Sequence, residues 1–485
     1  MKKSIFLTAL AGLLALQSGV AAEKNNPASA SKPQAAASSE FHLPAFETTR
    51  LPNGLTLMLM ERHGAPLIAV TAVVNAGAIH DARQGGLANL TNQALRLGSK
   101  QFAKARVEQA FDSRGGLLGV QADSEHSTLM ADLAATDAPT LLPMLADMLQ
   151  QPAFDATEFD KLRARKIADL KRAKESPNEV ADHYFQSMLF GAKPYGNAVV
   201  GSEKSLAAIS ADDVRRFHQQ YYRPDNAAVV VVGDFKLAAM REQLTQLFGA
   251  WQAPSAALPA PASAATLGEV NMSGPRVWLV NKDDAHETTF QFGGKGIARN
   301  DPDYVPLKVI NTVLGGRFTS WLNDELRVNS GLTYGATSDF SHFSQTGMFA
   351  VSSFTATEKT KEALDLALRT YQRLWDKGMD AATLASARAY VKGQFPPRLE
   401  TNQQLAFLLA DMFSAKVGRE QIDHFSRDID SVTPQRAKEL IQRHFPRNNL
   451  QMLLIGKADV IREIAAKYGK VREISMTADG FGAVE

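Results

Sequence analysis

The chain has 485 residues, 45% hydrophobic and 21% charged, which is ordinary globular material in a quantity sufficient for two or more domains. Its formal charge is +2, and removing Lys2 and Lys3 leaves 51 of the 53 basic residues against 51 acidic ones, so neither nucleic-acid binding nor attraction to a membrane surface finds support. The absence of cysteine excludes disulfides, thiolate sites and lipid attachment through a thiol.

Taken in order, residues 1–22 read as a secretory signal peptide. Lys2 and Lys3 form its positive end, residues 5–16 an apolar stretch too short to span a bilayer, and Val20-Ala21-Ala22 a small-residue cleavage site. The expected destination is the periplasm, with no membrane span once the signal is removed. Residues 23–40, rich in Ala, Ser, Pro and Lys, read as a flexible tether. Residues 55–60 and 67–74 are strand-like and flank a turn, which predicts a hairpin. A glycine pair, Gly85-Gly86, precedes a predicted helix over 87–97, and residues 159–174 predict a longer amphipathic helix. A Pro/Ala-rich linker over 253–268 separates two expected domains, 41–252 and 269–476, followed by a tail at 477–485.

The two halves are similar. Residues 209–233 and 432–456 align without a gap at an offset of 223. Each stretch opens with a capped helix (Ser210-Ala211-Asp212-Asp213; Thr433-Pro434-Gln435-Arg436), passes an Asn-containing turn, and enters an apolar strand closed by Gly233 or Gly456. The fold expected is α+β: two similar domains from a duplication, each a mainly antiparallel sheet covered by helices.

On the 87–97 helix, Leu87, Leu90, Ala94 and Leu97 form an apolar face, and Asn89, Asn92, Gln93 and Arg96 share the other. The spacing of Asn89, Asn92 and Gln93 is that of an inverted zinc-protease motif, H-x-x-E-H. Amides cannot supply the nitrogens zinc favours or act as a general base. From this segment alone, an ordinary polar helix face is the better account. No two of the ten histidines lie at i,i+3 or i,i+4, so no other metal motif stands out.

The surrounding segments narrow the choice. Leu51-Pro52-Asn53-Gly54-Leu55, Gly86-Leu87-Ala88, Pro194-Tyr195-Gly196 and Tyr222-Arg223-Pro224-Asp225-Asn226 occur in the first half. Leu314-Gly315-Gly316, Glu325-Leu326-Arg327, Gly331-Leu332-Thr333-Tyr334 and Arg398-Leu399-Glu400-Thr401-Asn402 occur in the second. In this order and spacing, residues 51–476 resemble the pitrilysin/insulinase family of zinc metallopeptidases, which includes the mitochondrial processing peptidases. The resemblance places the third metal ligand at Asp169, 76 residues after Gln93, where the family has Glu. A single carboxylate beside two Asn and one Gln is a poor zinc set, so no metal is expected on this chain. The resemblance also implies a substrate-binding edge strand at Gly119, Val120, Gln121 and Ala122. It further implies an Arg and a Tyr, here Arg327 and Tyr334, that contact substrate and stabilise the oxyanion at the scissile carbonyl.

Some bacterial members of the family work as pairs of chains, one with the zinc motif and one without. The resemblance therefore implies a non-catalytic subunit of a heterodimer acting on small unfolded peptides. Zinc is then expected in a homologous partner carrying an intact H-x-x-E-H motif. The alternatives are a dead scaffold or peptide-binding chain of the same fold, a solo metallopeptidase with unorthodox ligands around Asp169, and an unrelated function on a shared architecture.

Overall fold

The computed structural model describes residues 41–482, apart from 260–262, 269, 271 and 275. The expected signal peptide and tether lie outside the described residues. Twelve strands form two six-stranded mixed sheets among them. The first sheet contains β1 (Glu47–Arg50), β2 (Thr56–Glu61), β3 (Leu67–Val74), β4 (Leu117–Ala122), β5 (Ser127–Ala134) and β6 (Ala227–Gly233), in the order β1-β2-β6-β3-β5-β4. The second contains β7 (Arg276–Asn281), β8 (Glu287–Lys295), β9 (Ala336–His342), β10 (Gly347–Ala356), β11 (Gln451–Gly456) and β12 (Lys470–Ser475), in the order β12-β7-β11-β8-β10-β9. Five strands correspond between the sheets. The sixth differs: β1 joins β2 antiparallel from the N-terminal side, whereas β12 joins β7 parallel from the C-terminal side.

The local sequence accounts for the central strands. Residues 227–233 read Ala-Ala-Val-Val-Val-Val-Gly, and all seven are buried. A β-branched run with no polar alternation suits a strand covered on both faces. Gly233 ends it at φ +144, where a Cβ would lie 2.2 Å from the Leu67 carbonyl oxygen. Helices Ala211–Tyr221 and Pro434–His444 keep the 223-residue offset at both ends, and Ser210 and Thr433 cap them as expected. The predicted hairpin is overturned. β6 lies between β2 and β3, parallel to the first and antiparallel to the second. Adjacency in sequence suggested direct pairing, but a strand arriving some 150 residues later fills the gap.

Each sheet is covered on one face by its own half and on the other by a helix of the opposite half. Leu57, Leu59, Val229 and Val231 pack in one cluster with Leu142, Leu145, Leu149, Leu244 and Phe248. Met58, Met60, Val230 and Val232 point the other way, onto Leu405, Leu409 and Met412 of helix Asn402–Ala415. Reciprocally, helix Pro177–Phe190 lies on β8 and β11, and its Tyr184 and Met188 share a cluster with Val280, Leu453 and Ile455. Hydrogen bonds fix both exchanges. Asn402 Nδ2 donates to Leu67 O (3.0 Å), and Gln291 Nε2 donates to Asp182 Oδ1 (2.6 Å). The tail adds a further link, because Phe481 is buried edge-on against Tyr184 at 5.2 Å between centroids. The described residues from 41 onward accordingly form one compact unit. The linker is packed rather than free: Leu258 lies against the core, Leu267 is buried, and Ala256 O accepts from Arg223 Nη1 at 2.6 Å.

Leu409→Ala, at a fully buried site of the exchange, is expected to cost about 2–5 kcal/mol. Urea unfolding of wild type and variant should each give one transition, because neither half keeps a covered sheet without the other. Two separate transitions would contradict the exchange as the source of cohesion.

Candidate functional site

The motif helix spans Leu87–Ala94 and tightens into a 3-10 turn, Leu95–Leu97, one turn earlier than the sequence predicts. Its start is fixed by Asp81, a residue the sequence pattern did not flag. Asp81 Oδ2 accepts from Gly86 N and Oδ1 from Ala88 N, each at 2.7 Å. This side chain therefore satisfies orphan amides at the helix start from five residues upstream of the N-cap. Gly86 is required there: it sits at φ +90, and a Cβ would meet Leu206 Cδ2 at 2.8 Å. Burial pushes the Asp81 carboxyl up to about 8, opposed by the amides of Ala88, Gly86 and Leu87.

The three motif positions separate by environment. Asn92, expected on a polar face, is fully buried. Its Nδ2 donates to Thr128 O on β5 (3.2 Å), and its Oδ1 accepts from the Tyr222 hydroxyl (3.4 Å). The helix packs against β4 and β5, so this face points into protein rather than water. An amide meets both demands because it donates and accepts; a carboxylate would set its charge against the Thr128 carbonyl. Asn89 and Gln93 are half-buried and make no side-chain hydrogen bond among the described residues. Asp169 lies on helix Ala156–Ala173, which packs beside the motif helix, and its Oδ1 accepts from Arg172 Nη2 at 2.7 Å. Two Asn, a Gln and an Asp already held by an arginine do not fit zinc. Among the described residues, the one His/Asp/Glu group with metal-like spacing is Asp301, Asp303 and His444, in the second half. Asp303 there is paired with Arg436, Arg443 and His444, two guanidiniums that oppose a cation.

Tyr222 supports Asn92 from behind and stacks on His218, with centroids 4.8 Å apart. His218 is buried, its Nε2 is 2.9 Å from Leu149 O, and burial pulls its pKa down to about 4.

Arg327 and Tyr334 present the opposite situation. The segment Asp324–Asn329 forms a π-helical turn anchored by buried Leu326, whose carbonyl accepts from Leu332 N at 2.9 Å. This leaves Arg327 exposed, its guanidinium 4.7 Å over the Phe318 ring. Tyr334 is 79% exposed, and Phe318 and Val328 in the same half are 61% and 63% exposed. Neither the Arg327 guanidinium nor the Tyr334 hydroxyl has a hydrogen-bond partner among the described residues. No hydrogen bond joins them to Asn89, Asn92, Gln93 or Asp169.

The two sheets end differently. β4, with Gly119, Val120, Gln121 and Ala122, is an edge strand. Among the described residues its outer backbone is untouched by other side chains, except that Gln121 O accepts from Thr128 Oγ1. The corresponding edge β9 is capped: Asn311 Nδ2 donates to Ser338 O (2.8 Å), and Asn323 Oδ1 accepts from Ala336 N (3.0 Å). Of these two corresponding edges, β4 is the one open along its length to an added strand.

Residues 57–203 match the model of the insulinase peptidases, family M16, and residues 208–391 match that of the M16 inactive domain. The chain belongs to the M16 insulinase family. Within the M16 family it is of the non-catalytic type. Similar proteins include an uncharacterized zinc protease YmxG of Bacillus subtilis, 22% identical over 81% of this chain and 94% of that one. A non-peptidase homolog YmxG of Helicobacter pylori is 25% identical over 81% of this chain and 90% of its own. The fold is shared with the peptidase M16 inactive domain from Pseudomonas fluorescens (TM-score 0.77, 22% identity, 85% and 98% covered). It is also shared with a protease from Helicobacter pylori (TM-score 0.78, 20% identity, 86% and 100% covered).

Asp81→Ala is expected to cost about 2 kcal/mol by orphaning two buried amides, and Asp81→Asn less, since one acceptor remains. Denaturant midpoints of both variants check the ranking. The His218 pKa is lowered in the folded state, so its contribution is complete above about 6.5, the unfolded value, and is lost as pH falls towards about 4. Melting temperatures should decline across that window. His218→Phe should shrink the decline; an equal decline in the variant would rule out this histidine as a source.

Proposed function

We propose that this protein is the non-catalytic subunit of a two-chain zinc metallopeptidase of the periplasm, acting on small unfolded peptides. The observation that carries the reading is the presentation of Arg327 and Tyr334. A guanidinium over the Phe318 ring and a phenol stand exposed and without a hydrogen-bond partner among the described residues, while the chain's own motif helix carries amides at the motif positions. Donors of this kind, held on a buried anchor, stabilise negative charge developing on a carbonyl oxygen. The reaction centre they serve lies on a homologous partner with an intact H-x-x-E-H motif, which holds the zinc. Exposed apolar side chains around a functional pair suit a surface that becomes covered on assembly. The family's catalytic chemistry and the name of the Helicobacter pylori relative, a non-peptidase homolog, support the absence of activity in the isolated chain. Export by residues 1–22 supports the compartment.

A second reading, a peptide-binding chain without catalysis, is favoured by the open edge of β4. An extended peptide adds there through main-chain hydrogen bonds, independently of Arg327 and Tyr334.

The two separate experimentally. The purified mature chain should retain no stoichiometric zinc and cleave nothing alone. Mixed with its zinc-bearing partner it should cleave unfolded peptides, and Arg327→Ala or Tyr334→Phe should lower turnover about a hundredfold with complex formation intact. Unchanged turnover in both variants would reject the oxyanion role, and chelator-sensitive cleavage by the isolated chain would reject the whole reading.

A further inference from the structure

A pocket of about 480 Å³ lies in the second half, between helix Tyr304–Leu314, the edge strand β9, helix Ala381–Gln394 and helix Asn402–Ala415. That is the size range of a small-ligand site. Five aromatic side chains line it, Tyr304, Tyr390, Phe395, Phe407 and Phe425, of which Tyr390 and Phe407 are exposed. Its charges sort by whether they are already paired. Arg299 donates to Asp411 Oδ2 (2.7 Å) and to Gln421 Oε1 (2.5 Å), with its guanidinium 4.0 Å above Tyr304, so this pair is neutral within the protein.

Lys308 and Arg398 are different. The Lys308 ammonium lies 4.3 Å from the centroid of the same Tyr304 ring and forms no ion pair among the described residues. Arg398 forms none either. The remaining carboxylate, Asp339, feels the charge of Lys308 but does not close an ion pair with it. Two unpaired cations against one unpaired carboxylate leave an excess of one positive charge, among aromatic walls. The backbone edge behind is capped by Asn311, so recognition falls to side chains rather than to strand addition.

We propose that this pocket binds a monoanionic carboxylate with an aromatic body, its carboxylate at Lys308 and Arg398 and its ring against Tyr390 and Phe407. Charge-assisted hydrogen bonds orient the ligand, and ring contact supplies the apolar part. This chemistry has two sources, a free small carboxylate or the C-terminal residue of a peptide. The proposal stands apart from the subunit reading, since no partner chain or cleavage enters it.

Isothermal titration of the full mature chain tests it with four probes: 3-phenylpropionate, its amide, the tetrapeptide Ala-Ala-Ala-Phe with a free C-terminus, and that peptide amidated. At least one acid should bind with a Kd below about 1 mM, and its amide about tenfold more weakly. Binding of 3-phenylpropionate alone assigns a free small molecule; binding of the acidic peptide assigns a peptide end. Lys308→Gln should weaken the acid about tenfold and Lys308→Arg should restore it. Arg398→Gln provides the same readout if Lys308→Gln does not fold. Equal binding of acid and amide, absence of binding by both acids, or full affinity in a folded glutamine variant would overturn the assignment.

Discussion

A strand of valines directed to both sides of a sheet must be covered twice, and this chain supplies only one cover from each half. The exchange of helices Pro177–Phe190 and Asn402–Ala415 provides the second. Apolar burial has no direction of its own, so the polar contacts at the two helices, Asn402 to Leu67 O and Gln291 to Asp182, set the register in which they dock. The seam between the halves follows from the same arrangement. Glu125 accepts from the Tyr195 hydroxyl (2.7 Å) and from Ser344 N (2.7 Å), and Tyr195 stacks on Phe343 at 4.5 Å. A carboxylate of one half is thus satisfied by a backbone amide of the other.

This rigid body gives the substituted motif a definite physical meaning. Losing two imidazoles and a carboxylate from a solvent-facing helix would leave only a polar surface. Here the middle position is inside the protein, and Asn92 joins the motif helix to β5 and to Tyr222. Asn92 is therefore part of the packing. At the other end of the chain the requirement is reversed. The turn at 324–329 buries Leu326 and thrusts Arg327 outward, and Tyr334 follows in the same exposed loop. Asn92 is held inside the protein, and Arg327 and Tyr334 are held clear of it.

The legible parts of the sequence were those governed by local rules. Ser210 and Thr433 announce their helices because a cap acts within three residues, and the valine run of β6 announces a doubly covered strand because its pattern has no polar alternation. The family frame was legible from short segments in a fixed order. Failures came where a distant partner decides. Local pattern suggests a hairpin of β2 and β3 because the strand inserted between them is far away in sequence. Asn92 was placed on a wet face because helical periodicity counts polarity and cannot see Thr128 or Tyr222. Asp81 passed unnoticed because it caps from outside the usual position.

The order in which the chain is made has a consequence for its first sheet. That sheet is complete in strands once Gly233 has emerged, but the residues that shield its second face, Leu405 and Leu409, are produced some 170 positions later. At ordinary ribosomal speed this is a delay on the order of ten seconds. During that time Met58, Met60, Val230 and Val232 have no protein neighbour to sit against. The second cover of the first sheet is thus the last of its parts to become available, and its packing closes only when Asn402–Ala415 is present.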